Sequence, residues 1–595
     1  LGQRAHGETP VAVTVTVPDA GPGRGQPEVI VTSGLQGLAL DLPAPLQKPA
    51  AAVWPLRVVH RADDPAALSD AITVDIGGAV PLAGGAPSLH VDLRRDVSGA
   101  RAMVRRGVMS LQQPGAAQMP LPGLPTKGIT AQAQLGALDV DAWQAAWADT
   151  EPGAQPSGVG QPPPWSPLAG APPTRDDSAL DDYLPDVLAL RAGALSWQGR
   201  TLRDLQATLT HPEPGLWRAQ IASRQAAGLL EWFGDASSRS SAIRAGRLVA
   251  RLSRLSVPEA EAEVLTAQAS ARLLERTPAT SVPALDILID DFEWRGVPLG
   301  RIEVQAVNRP STQPGRTGLP EWRLDTFRIS NPDAELRANG QWTAVPGGTT
   351  RPRSAFDFQL DLRNSGALLA RLGQPQTVRG GRGTLSGQIQ WSGSPLEPDP
   401  PSMSGDVAVQ IAEGQFLKAD PGIAKLLGVL SLQSLPRRLT LDFRDVFQRG
   451  FAFDRIDGQV AIDRGVARTR ALRMRGVQAL VLMEGQADLA RETQDLYVYV
   501  LPDLNAGGAS LAYAAINPVV GLGTFLAQVL LRKQVSDASS QAFHVTGSWA
   551  QPQVTRVPFH AEAAEAAAGS VAPQVLAPPA PPGPAASDTA PRKPS

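Results

Sequence analysis

Apolar and polar residues alternate one by one through most of this chain. The pattern runs through Val11 to Val17, "SLHVDLRRD" from Ser88, "RIEVQAV" from Arg301, "FDFQLDL" from Phe356, "RLTLDF" from Arg438 and "DLYVYVL" from Asp495. A period of two places one row of side chains on each face of a sheet, so the sequence predicts a mostly β protein. Gly, Pro and Asp turns between the runs point to antiparallel pairing.

A diffuse internal repeat is superposed on this alternation. Leu188–Leu209 and Leu285–Val307 align so that Trp197-x-Gly199 matches Trp294-x-Gly296, and each copy then reaches a Trp-Arg pair, Trp217-Arg218 and Trp322-Arg323. The spacing predicts a meander of about four strands whose copies stack into an elongated, twisted, quasi-one-dimensional sheet.

Helical patterns are few. Residues 256–276 carry a capping-box spacing at Ser256 and Glu259, Pro258 at the first helical position, and Leu265, Ala269 and Leu273 on one stripe. Short helices are predicted around Trp143 and Leu369, and a longer one over 421–435. Pro-rich Glu151–Pro173 cannot sustain a ladder because proline lacks the donor, so it reads as a mobile insertion. The Ala/Pro tail after residue 560 reads as disordered.

One stretch breaks the alternation. From Asn505 to Leu531 there is no charged residue, a length sufficient for a membrane span, but Asn517, Pro518, Gly521, Gly523 and Gln528 divide it. Because "AFHVTGSW" resumes the strand pattern afterwards, 508–533 is expected to be a broken apolar helical hairpin capping one end of the sheet. It dips into a membrane, plugs the interior or spans. The membrane-contact candidates are Val519, Val520, Leu522, Phe525, Leu526, Val529 and Leu530.

Composition narrows the chemistry. The net charge of −2 gives no global field toward nucleic acid, and the absence of cysteine removes disulfides, thiolate nucleophiles and Cys-based metal sites. The six histidines form no local ligand pair, and Gly-Pro-Gly-Arg-Gly at 21–25 is followed by no P-loop Lys-Ser/Thr. No G-x-S-x-G elbow occurs. The acid pairs Asp181-Asp182 and Asp290-Asp291 would diverge on a regular strand, so they read as solvated turns or bulges. No catalytic residue, metal site or cofactor is assigned, and the chain is not read as an enzyme. It opens on Leu1 and soon enters "VAVTVTV", with neither signal peptide nor amino-terminal membrane anchor visible.

From about residue 356 the order of motifs becomes specific. "SGALLARLGQPQTVRGGRGTLSGQIQWSGSP" precedes "EGQFLKADPGIAKLLGVLSLQSLPRRLTLDFRDVFQRGFAFDRIDGQVAIDRGVARTRALRMRG", then "GQADLARETQDLYVYVLP" and "FHVTGSWAQPQV". This order resembles the carboxy-terminal portion of the YhdP family, AsmA-like, TamB-related proteins of the Gram-negative envelope. Leu188–Val307 extends the likeness more weakly, and residues before about 180 match only in style.

The resemblance implies a bridge-like lipid-transfer architecture: an open trough in the periplasm that moves phospholipid from inner to outer membrane and supports the outer-membrane barrier. It also implies an inner-membrane anchor through an amino-terminal helix, and leaves room for envelope protein partners. On this reading Leu439, Leu441, Phe443, Phe451, Phe453, Val460 and Ile462 are groove-lining candidates, since alternation sets each group on one face of its strand. Alternation fits a sandwich equally well, with the same side chains meeting a second sheet. The rival function is an envelope scaffold or outer-membrane assembly factor that binds partners by strand addition. The expected organisation is a β-rich segment over 1–150, the insertion over 151–178, repeated meanders over 179–355, an AsmA-like region over 356–560 and the tail over 561–595.

Overall fold

The computed structural model describes residues 4–17, 27–64, 68–77, 86–99, 102–114, 119–148, 183–197, 199–213, 215–234, 246–258, 282–311, 320–343, 352–395, 398–417, 451–476, 479–502 and 541–558. The chain forms two compact units. One comprises Leu1–Gln415 with Ile462–Val466, the other Phe416–Ala461 with Ala467–Ser595. The fold is mostly β.

In the first unit, each strand from Val11–Thr16 to Val378–Ser392 pairs with the next one along, apart from a small separate sheet of Ala5–Gly7 and Leu38–Leu40. The ladder does not close on itself: among the described residues Val11–Thr16 is paired on one side only, with Glu28–Ser33.

Pairing is mixed rather than wholly antiparallel. Met103–Gln112 runs parallel to Gly128–Asp139, which runs parallel to Val187–Trp197, and Arg247–Val257 runs parallel to Ala284–Trp294. The last two junctions bound the repeat. Each copy is a meander of five strands, Val187–Val257 and Ala284–Leu362, rather than about four. An odd count leaves the chain at the rim opposite its start, so the next copy begins in the same direction only after a return crossing. That return is what makes the junction parallel.

The Trp-Gly signatures are hairpin corners. Trp197 faces Arg200 and Trp294 faces Val297 across tight turns, the second using Arg295 and Gly296 at φ 52° and 75°. Trp217 and Trp322 each pair across strands with another tryptophan, Trp232 and Trp342.

Two of the expected helices form. Helix α1, Val140–Ala148, follows Asp139, whose carboxylate accepts from Ala142 N, and its Trp143 indole donates to Ala44 O at 3.1 Å. Helix α2, Ser365–Arg371, is capped by Asn364, and Arg371 ties it to Asp333 at 2.6 Å. Ser256 is not a helix cap: it lies in strand Arg247–Val257, where its N–H donates to Gln225 O, so ladder pairing prevails over local capping. That pattern from Glu259 on, residues 421–435, the Pro-rich insertion, the Gly-rich 21–25, Asp181-Asp182 and the tail from 561 lie outside the described residues.

Long twisted strands drift out of phase with a flat apolar face, and rows of bulges reset them. Gly136, Gly193 and Asp204 lie side by side on three neighbouring strands and interrupt the pairing, with Asp204 at φ 54°. One face holds Leu135, Ala192 and Leu205 before this row and Leu138, Leu195 and Leu202 after it, all in one cluster. The extra residue flips parity, so the apolar face continues unbroken. Ser253 and Asp290 repeat the device between Leu252 and Leu255 and between Ile289 and Phe292. Asp290 thus occupies a bulge, ion-paired to Arg301 at 2.7 Å.

A Cβ on Gly193 would lie 2.7 Å from Gly136 O. Gly193→Val should therefore lower stability by about 1–3 kcal/mol, read by thermal unfolding, whereas Thr208→Val on a regular stretch of the next strand should leave it nearly unchanged.

Candidate functional site

Register makes the two faces of the first unit's sheet explicit. Reading across the strands, one face carries Val31, Val58, Val74, Val91, Met109, Ala131, Leu188 and Leu209 in a single row. Further along, Ile302, Ile329, Leu336, Leu360 and Leu385 continue it. From Val187 onward the opposite face is polar and charged, laced by Arg218–Glu231 at 2.7 Å, Arg251–Asp286 at 2.7 Å and a chain in which Arg337 bonds both Glu335 and Asp361, at 2.9 and 3.1 Å; before it that face also buries Val59, Ala71 and Val108. Such pairs are worth little singly, but they keep that face wet.

The apolar face has no facing sheet among the described residues. Its buried side chains form clusters around Leu190 and Leu205, Ala250 and Ile289, and Trp322 and Trp342. Each cluster draws its members from strands that follow one another in the ladder, and the first two share Ile221. These contacts run sideways along one surface, whereas a sandwich core interdigitates two surfaces. At the outer edge Val11, Val13 and Val15 are more than half exposed.

The face carries one charged group of side chains near its rim. Asp70 and Arg95 face each other in register and pair through both carboxylate oxygens, at 3.0 Å to Nε and 2.6 Å to Nη2, and His60 Nε2 lies 2.9 Å from Asp70 Oδ2. The nearby Tyr183 hydroxyl also favours the charged form of Arg95. Arg95 holds the Asp70 carboxyl below its ordinary value against the opposing effect of burial, with His60 helping. Sequence alternation could place these residues on one face but could not reveal that they meet. Elsewhere His90 pairs with Asp75 at 2.7 Å, and His211 stacks on Trp217 at 4.6 Å. Among the described residues no three His, Asp or Glu side chains come together as metal ligands.

In the second unit, Phe453 is buried, its ring 5.2 Å from that of Phe416, and Val460 is half-buried. Ile462, at the end of the same strand and part of the first unit, is also half-buried. Leu439, Leu441 and Phe443 lie outside the described residues, and Phe451 is described only as backbone. Strand Thr493–Pro502 pairs antiparallel with Gln541–Ser548, Val500 opposite Gln541. The chain therefore leaves after 502 and returns by 541 to the same place on the sheet. The membrane-contact candidates 519–530 fall within that excursion, outside the described residues. Beside it Tyr499 is 4 % exposed and donates to Glu484 at 2.7 Å; burial first, then this carboxylate, pushes its hydroxyl pKa up. No described helix is long and apolar enough to cross a membrane.

A repeated five-strand meander with one apolar and one charged face is a fold, and comparison with known proteins places it. The family model described as YhdP protein matches residues 1–554. The chain belongs to the YhdP family. The match takes in the residues before 180, where motifs alone gave only a likeness of style. Over 225 residues the chain is 29% identical to the intermembrane phospholipid transporter YhdP of Escherichia coli K12, an alignment covering 38% of this chain and 18% of that protein. No solved structure matches it.

The Asp70 linkage has a defined sign. A carboxyl held below its ordinary value adds stability that is fully present above about pH 5 and is lost as pH falls through the lowered value. Asp70→Asn should thus cost about 1–3 kcal/mol at neutral pH, shrinking toward zero in strong acid. Chemical denaturation at a series of pH values checks this, and a pH-independent difference would refute the linkage.

Proposed function

We propose that the apolar face is the floor of an open trough along which phospholipids pass between the inner and outer membranes of a Gram-negative envelope. Acyl chains lie against the aliphatic rows, each methylene removed from water contributing about 0.8 kcal/mol. Headgroups stay in solvent at the strand ends. The observation that carries this reading is the unbroken apolar face with no facing sheet among the described residues, in a chain of the YhdP family.

Transport of this kind uses no catalytic residue. A floor of similar side chains lets a lipid slide, since no apolar position holds it more tightly than the next. Leu439, Leu441, Phe443, Phe451, Phe453, Val460 and Ile462 would continue the lining, and the excursion holding Val519 to Leu530 would touch the membrane at the receiving end. A periplasmic position with an inner-membrane anchor follows the same reading.

A second reading, an envelope scaffold that binds proteins by strand addition, is favoured by the outer strand. Val11–Thr16 has an unpaired edge among the described residues, with no charge, proline or bulge to blunt it.

Native mass spectrometry of the chain purified from a Gram-negative periplasm separates the two. Several phospholipids per chain are expected. Leu209→Asp and Ile287→Asp, both half-buried on the apolar face, should cut bound lipid to about half or less, because an unpaired charge there repels acyl chains. Thr208→Asp on the polar face and Thr14→Lys, on the polar face of the edge strand, should not. Lipid retained by apolar-face variants with unchanged circular dichroism would refute the trough. Loss of a protein partner from the Thr14→Lys variant, in a chain that carries no lipid, would establish the scaffold.

A further inference from the structure

The ion pair on the apolar face has no adequate structural explanation. Among the described side chains of the strands from Glu28–Ser33 to Val187–Trp197, His60, Asp70 and Arg95 are the only ionisable groups on that face. Asp70 and Arg95 are largely buried, with side chains 11% and 17% exposed, while His60 is half exposed. Taking two charges out of water costs about what their attraction returns, and an apolar pair of similar volume serves stability as well or better.

The geometry leaves donors free. A guanidinium has five N–H groups. Asp70 takes Nε and one on Nη2, and Tyr183 engages the group as well, so its remaining donors lie beside the half-exposed imidazole of His60. The bidentate contact fixes the guanidinium plane, which suits the planar fork to a phosphate. With Asp70 adjacent, the pair carries no net charge. It offers donors and an acceptor side by side at the strand ends, where the apolar rows meet solvent.

We propose that Arg95, held by Asp70 beside His60 and Tyr183, forms a station for the headgroup of a zwitterionic phospholipid, its phosphate on Arg95 and His60 and its ammonium toward Asp70. This rests on the trough reading and adds selectivity to it. A lipid bearing only negative charge gains the phosphate contact but offers the Asp70 carboxylate only neutral hydroxyl donors in place of an ammonium. The station therefore favours phosphatidylethanolamine over phosphatidylglycerol, while the aliphatic rows treat the two alike.

The test uses the full chain, equilibrated with mixed vesicles of equal phosphatidylethanolamine and phosphatidylglycerol, and counts bound lipids by native mass spectrometry. At the station the wild type should prefer phosphatidylethanolamine about fivefold, the worth of one net hydrogen bond, which reads as an excess of about 0.7 phosphatidylethanolamine per chain over an otherwise equal mixture. The paired replacement Asp70→Leu with Arg95→Leu leaves no orphaned charge; it should keep its melting temperature and total lipid and bind the two lipids equally. The swap Asp70→Arg with Arg95→Asp keeps an ion pair but reverses it, and should lose the preference too.

A folded Leu pair that retains the enrichment overturns the station, as does a swapped pair that restores it, since then only an ion pair is needed. Loss of the enrichment in millimolar inorganic phosphate also overturns it, in favour of a free-phosphate site. A wild type that binds both lipids without preference overturns the station alone. A wild type that binds neither overturns the trough beneath it.

Discussion

Everything in the first unit depends on a single constraint, that edge-to-edge strand pairing must keep one face apolar over a very long ladder. Backbone hydrogen bonds join any strand to any neighbour, and only side-chain parity decides which surface is which. A slip by one residue would turn an entire row of leucines and valines outward. The sheet meets this by aligning its irregularities: Gly136, Gly193 and Asp204 fall in one row and Ser253 and Asp290 in another. An isolated bulge would put a strand out of phase with its neighbours, whereas a row shifts them together.

The polar face follows from the same constraint. Once the apolar residues are gathered on one side, arginines and carboxylates are left on the other, close enough to pair across strands. The Arg337, Glu335 and Asp361 chain is one result. Exposed pairs of this kind add little stability, so the clusters around Leu205, Ile289 and Trp342 hold the strands together. Packing is lateral, and each cluster stabilises its own few strands, as in repeat proteins generally.

Much of this was legible in the sequence. Period-two alternation gave the strands, Trp197-x-Gly199 and Trp294-x-Gly296 marked hairpin corners, and the aligned Trp-Arg pairs exposed the repeat. Parallel junctions were not legible, because they depend on where a chain returns after a long connection and alternation says nothing about that. Ser256 misled because a capping motif is local and the strand it joins is not. The Asp70, Arg95 and His60 group was hidden for a similar reason: Asp70 stands 25 residues from Arg95 and 10 from His60, and only register brings them together. The lining residues read from the motifs at 439–443 lie outside the described residues, and the described apolar face is continuous between Val187 and Leu362.

The odd number of strands in each meander has a consequence for how such a protein can change over time. Where a return crossing follows the five strands, as after Val257 but not after Leu362, whose strand pairs antiparallel with the next, the chain regains its starting rim and direction, and a copy can be inserted or deleted without reversing anything downstream. At about 4.8 Å per strand, each copy alters the ladder by about 24 Å. Length is therefore an inheritable, stepwise quantity in this architecture, adjustable by tandem duplication.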